Sequence, residues 1–163
     1  MLAFAASVLL SANARAEEKE AIGEIELGAA SEWAIPGGNS SLGPSIAAEF
    51  AAFHDSLEIE LGVSPLFTRT ETEWNTDLVF KVPVFSRDDI EVTFGLGPEW
   101  QHKIGGGKTS DSTAGEAQLD FQFWRSDRKF GYFVEPSYGY SFARDHEQSF
   151  TLTVGLLIAV PPN

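Results

Sequence analysis

The chain of 163 residues contains no cysteine, has few bases against many acids, and carries no apolar run long enough to cross a bilayer as a helix. The missing cysteine excludes disulfides, thiolate metal sites and cysteine nucleophiles, so any rigidity outside the cell must come from hydrogen bonding and packing. With 11 Lys and Arg against 24 Asp and Glu, the formal charge is −13, which argues against a nucleic-acid partner gripped through a basic face. A transmembrane helix needs about 20 apolar residues. The longest candidate, the apolar stretch from Leu2 to Leu10, is shorter and ends in Ala14-Arg15-Ala16. Residues 1–16 are therefore expected to be a secretory signal cleaved after Ala16, begun without its basic leading segment. The expected mature part, residues 17–163, keeps all the acids, loses Arg15 and has the size of one domain.

What is present is alternation. In Ile25, Leu27, Ala29, Ser31, Trp33 and Ile35 one row is apolar, while Glu24, Glu26, Gly28, Ala30 and Glu32 form the other. The same period of two recurs in eight stretches: 22–35, 42–53, 57–67, 73–85, 90–100, 115–124, 130–142 and 149–160. In none does the apolar row carry a charge. This predicts an all-β chain, an eight-stranded antiparallel up-and-down transmembrane barrel, because only helices and closed barrels satisfy their backbone hydrogen bonds in hydrocarbon.

A soluble barrel with its apolar face inward, a periplasmic carrier like a lipocalin, would show the same alternation. Three features favour the membrane. Gly28, Gly43, Gly62, Gly95, Gly97, Gly131, Gly139 and Gly155 all lie on the charged face, where a narrow lumen needs small residues. The apolar face is bulky throughout, as in Ile90, Val92, Phe94, Leu96 and Trp100. Trp33, Trp74, Trp100, Tyr138 and Tyr140 fall on that face near one end of their strands, as an aromatic girdle would. Phe53, Phe85 and Trp124 have interior parity and are expected to plug the opposite mouth.

The connections 54–56, 86–89 and 125–129 are tight and polar, while 36–41, 68–72, 101–114 and 143–148 alternate with them. Short turns face the periplasm in such barrels, so both termini are expected there and 101–114 is expected to be an outer contact loop. With the charged face inward, Glu24, Glu26, Glu32, Glu49, Glu58, Glu60, Glu73, Asp77, Glu91, Glu99, Glu116, Asp120 and Glu135 line the lumen or its rims, opposed in mid-strand by Lys81 alone. Like charges about 4 Å apart repel by about 1 kcal/mol in water and about 4 at an effective dielectric near 20, so water, protons or cations must share this space. A hydrated polar plug is the simpler expectation; a narrow cation-preferring channel is the alternative. Arg69, Lys103, Lys108 and Arg144 are candidate outer contacts for lipopolysaccharide phosphates.

Other motifs carry little. In Gly105-Gly106-Gly107-Lys108-Thr109 the first glycine of a phosphate loop is replaced by His102. His54, Asp55 and Ser56 are too close in the chain for a relay. No His or Cys partners the acids as zinc would require, and no calcium-loop signature is present.

The alternating strands behind a signal resemble the small outer-membrane barrel superfamily, in the manner of the OmpA membrane domain, OmpX and other porin-family proteins, over residues 22–160. The final Leu157 to Asn163 departs from the terminal aromatic that the insertion machinery reads in such barrels. The resemblance implies a monomeric, non-enzymatic outer-membrane protein without cofactors, with an envelope or surface-interaction role and lipid as its partner. His146 and Ser149 invite comparison with lipid A deacylases, an outer-membrane lipid hydrolase alternative, although their spacing does not match.

Overall fold

A computed structural model describes residues 22–52, 56–143 and 146–161. It is a closed eight-stranded barrel: β1 (Gly23–Ile35), β2 (Ser40–Ala51), β3 (Glu58–Phe67), β4 (Glu71–Ser86), β5 (Ile90–Gly105), β6 (Lys108–Trp124), β7 (Phe130–Ser141) and β8 (Gln148–Val160). Each strand pairs antiparallel with the next, and β8 closes on β1, with Gly28 directly opposite Gly155. Closure leaves no sheet edge along the shared body of the barrel. The expected signal, residues 1–16, lies outside the described residues, as do Phe53, His54, Asp55, Arg144 and Asp145.

Prolines interrupt the ladders. Pairing between β2 and β3 lapses from Leu42 opposite Phe67 to Ile46 opposite Val63, where Pro44 and Pro65 stand. Similar lapses accompany Pro98 between β4 and β5 and Pro136 between β6 and β7. A proline has no N–H to contribute, so each leaves a gap in the ladder. The Ser64 hydroxyl donates to Ser45 Oγ at 3.0 Å and bridges the first gap.

Three expectations are corrected by this architecture. First, 101–114 is not a loop: β5 and β6 continue as a paired hairpin from Trp100 opposite Thr113 to Gly105 opposite Lys108. Only Gly106 and Gly107 turn, at φ of 57° and 74°, in the left-handed region that glycine enters freely. Second, the end expected to carry long connections is marked by a projecting hairpin instead. Third, Phe85 does not plug the mouth. A bulge between Pro83 and Phe85 makes Phe85 pair with Val92, which inserts one extra residue and turns the ring outward, leaving it exposed.

Candidate functional site

The two faces of the wall differ as the alternation requires. Leu61, Phe94 and Trp33 are 55, 36 and 41 % exposed, whereas Glu26, Glu49, Glu58, Glu60, Glu91 and Asp120 are buried inside. A soluble carrier with an apolar lumen is thereby excluded. The exposed belt of Leu, Ile, Val and Phe side chains requires hydrocarbon around it, and a closed barrel with such a belt is an outer-membrane barrel. Trp33, Trp74, Trp100 and Tyr138 lie exposed on the outer surface towards the hairpin end; Tyr140 is half-buried beside Phe142, its ring edge-on at 5.7 Å.

At the opposite end the mouth is filled. Trp124, Phe133 and Leu157 form a small buried apolar cluster, with Ala159 against it. The Phe133 ring lies over the facing glycines, since a Cβ at Gly28 would come within 3.1 Å of it and one at Gly155 within 2.6 Å. Arg128 covers this floor from below, its guanidinium 5.3 Å from the centre of the Trp124 ring and 3.3 Å from Glu91 Oε2.

Above the floor sits Lys81, wholly buried. Its ammonium lies 3.0 Å from Glu49, 3.3 Å from Asp120, 3.5 Å from Glu135 and 3.6 Å from Glu26, and contacts Glu60 as well. These five carboxylates come from five strands, β1, β2, β3, β6 and β7, so a single cation ties most of the barrel together. A polar chain runs down from it: Gln122 donates to Asp120 at 2.8 Å, and the Trp124 indole donates to Gln122 at 3.1 Å. Upwards, Gln118 donates to Glu135 at 2.7 Å. Burying one ammonium among several carboxylates is tolerable only because each desolvated charge has an opposite charge or a donor beside it.

Of the expected acidic cluster, Glu26, Glu60, Asp120 and Glu135 are therefore gathered at Lys81, while Glu91 belongs to Arg128 at the floor. Glu58 is buried and stands opposite Lys81 across the β3–β4 pair. Asp77 and Glu116 sit higher, around a small cavity. Glu49 completes the Lys81 set from the rims of the expected lumen list.

The expected outer bases do not form one patch. Arg69 is exposed in the β3–β4 turn and Lys108 at the hairpin tip, while Arg144 lies outside the described residues. Lys103 faces inward at the rim, 3.4 Å from Glu73 and 3.2 Å from Glu147, so its charge is engaged by acids and not offered to lipid. His146 Nδ1 lies 3.1 Å from the Tyr140 hydroxyl, with the two rings stacked, so its partner is that tyrosine and not Ser149. On the hairpin, His102 Nδ1 and Asp111 Oδ1 pair across the strands at 2.7 Å.

No protein-family model matches the chain, and no curated protein matches it. Solved structures do. Neisserial surface protein A is similar with a TM-score of 0.66 at 11 % identity, over 84 % of this chain and 95 % of that one. The N-terminal β-barrel domain of Pseudomonas aeruginosa OprF gives 0.58 at 15 %, over 83 % and 99 %. Ail, the attachment invasion locus protein of Yersinia pestis, gives 0.57 at 15 %, over 83 % and 97 %. At these identities the likeness is one of fold: the small eight-stranded barrel.

Proposed function

We propose that the chain is a non-enzymatic, monomeric barrel of the outer membrane that presents its β5–β6 hairpin as a contact element at the cell surface, with a lumen built as a plug. The observation that carries this reading is the closure of the interior by Lys81 with its carboxylates and by Trp124, Phe133 and Leu157 beneath. A lumen filled in this way offers no transit, which leaves the surface as the working part. The hairpin, with Lys103, His102 and Asp111 cross-linked to their neighbours, is a paired two-stranded projection able to hold a fixed shape. Two of the similar structures, a Neisserial surface protein and an attachment invasion locus protein, support the same reading. Arg69 and Lys108 remain candidates for lipopolysaccharide phosphates, as Lys103 does not.

The absence of cysteine makes the test clean. Cysteine placed at Thr109 should react with a membrane-impermeant maleimide in intact cells, and cysteine at Asp127 should react only after the outer membrane is opened. The reverse pattern would refute the surface hairpin. Folded protein in planar bilayers should give no current steps; cation-selective steps that fall when Glu26, Glu58, Glu91 and Asp120 are neutralised would establish a channel instead.

A further inference from the structure

Two short turns lie side by side at the Trp124 end of the barrel. The β4–β5 turn closes with the Arg87 N–H donating to the Ile90 carbonyl at 2.7 Å, and the β6–β7 turn closes with the Arg125 N–H donating to the Phe130 carbonyl at 3.1 Å. The Trp124 N–H, donating to the Asp89 carbonyl at 2.8 Å, ties one turn to the other. These closures fix which bases lie on the lipid side. Ile90 stands opposite Phe123, and Phe130 opposite Ile158, on the apolar row of the wall. Because Arg87 closes on Ile90 and Arg125 on Phe130, both arginines continue that row past its last apolar residues, and both are exposed. Around them Phe85, Phe123, Phe130 and Tyr132 are 49, 42, 54 and 60 % exposed. The bulge between Pro83 and Phe85 is what brings Phe85 to this face, two residues before Arg87.

The third arginine of these turns is spent on the interior: Arg128 pairs with Glu91 and covers the Trp124 ring. Arg87 and Arg125 form no ion pair among the described residues. The acids of the two turns, Asp88, Asp89 and Asp127, occupy the tips beyond the closing pairs, where Asp127 Oδ1 accepts the Lys129 N–H at 3.4 Å. Two guanidiniums without a carboxylate thus stand where the hydrocarbon-facing wall meets water, above a belt of exposed aromatic rings. The hairpin end differs: its outward face carries Trp33, Trp74 and Trp100, and its rim base Lys103 is engaged by Glu73 and Glu147.

We propose that this corner of the barrel binds an anionic phospholipid, with Arg87 and Arg125 on the headgroup phosphate and Phe85, Phe123, Phe130 and Tyr132 against the glycerol and the upper acyl chains. A guanidinium presents paired, coplanar donors that match phosphate oxygens, and it is more weakly hydrated than an ammonium, so it suits the edge of a hydrocarbon layer. Aromatic side chains occupy that same depth in membrane barrels. A zwitterionic lipid carries its own cation beside the phosphate, which two arginines without a nearby acid repel; an anionic lipid carries none. The inference rests on the orientation proposed above, which sets this end against the phospholipid leaflet.

The test is native mass spectrometry of the full chain, refolded in non-ionic detergent and titrated with dioleoyl phosphatidylglycerol or, separately, with dioleoyl phosphatidylcholine. Wild-type protein should bind its first phosphatidylglycerol about fivefold more tightly than its first phosphatidylcholine, the order expected of a base acting on an anionic headgroup. Arg87→Gln with Arg125→Gln should bring the two lipids to equal affinity, while Arg69→Gln with Lys108→Gln at the hairpin end should leave the preference unchanged. Heat-modifiable gel migration checks that each variant is folded. Should the double arginine variant fail to fold, Arg125→Gln alone carries the comparison, with a smaller loss of preference. The maleimide pattern tests the orientation and the titration tests the lipid site, so either can fail without the other. Equal binding of the two lipids by the wild type overturns the proposal, as does a preference that the arginine variant keeps or that the hairpin variant loses.

Discussion

The two halves of the lumen solve the same problem in opposite ways. Towards the Trp124 end, Glu26, Glu49, Glu60, Asp120 and Glu135 share Lys81, Glu91 pairs with Arg128, and a small apolar floor closes the mouth. Towards the hairpin end, Asp77, Glu99 and Glu116 face a cavity and form no ion pair with a base among the described residues. Lys81 marks the boundary. The comparison teaches that the lower half gathers its acids on a shared cation, while the upper half holds Asp77, Glu99 and Glu116 with no lysine or arginine paired to them among the described residues.

Substitutions should separate the halves. Lys81→Met leaves five desolvated carboxylates without their ammonium and should destabilise the barrel by about 3–5 kcal/mol, read from urea unfolding in lipid vesicles. Adding Glu60→Gln should recover part of that loss; a Lys81→Met barrel as stable as the parent would erase the distinction between the halves. Phe133→Ala removes the ring over Gly28 and Gly155 and should cost about 3 kcal/mol in the same assay. Gly155→Ala pushes a methyl into the Phe133 ring and into the backbone of β1, and should cost about 1–3 kcal/mol. In the upper half the sign reverses: Asp77→Asn relieves repulsion from Glu99 and should raise stability by about 1 kcal/mol. A loss of stability there would show that Asp77 is paired after all.

The strands and the facing of the wall were legible because a wall between hydrocarbon and a charged lumen imposes a strict period of two on every residue it contains. Where that boundary ends, the signal ends too. From His102 to Gly105 and from Lys108 to Asp111 both faces of the hairpin meet water, so His102, Lys103 and Ile104 alternate in nothing the sequence displays. Phe85 has the parity of the lumen on paper, but one extra residue at the Pro83–Phe85 bulge reverses it, and the one signal of that insertion is Pro83, a residue that strands tolerate at bulges. The interior position of Trp124 was readable from parity alone. The gathering of Glu26, Glu49, Glu60, Asp120 and Glu135 on Lys81 was not: they lie on five strands, and only the register of the closed barrel sets them at one height. Lys103 likewise looked free because Glu147 meets it from a turn 44 residues away.

The central claim is that hydrocarbon touches one face of each strand and a polar lumen the other. Single spin labels placed in turn at Val92, Thr93, Phe94, Gly95 and Leu96 of β5, in protein reconstituted into vesicles, test it most directly through collision with oxygen and with a polar nickel chelate. Oxygen access should peak at 92, 94 and 96, and the chelate should reach none of those three. Oxygen maxima at 93 and 95 instead, with 92, 94 and 96 open to the chelate, would contradict the account.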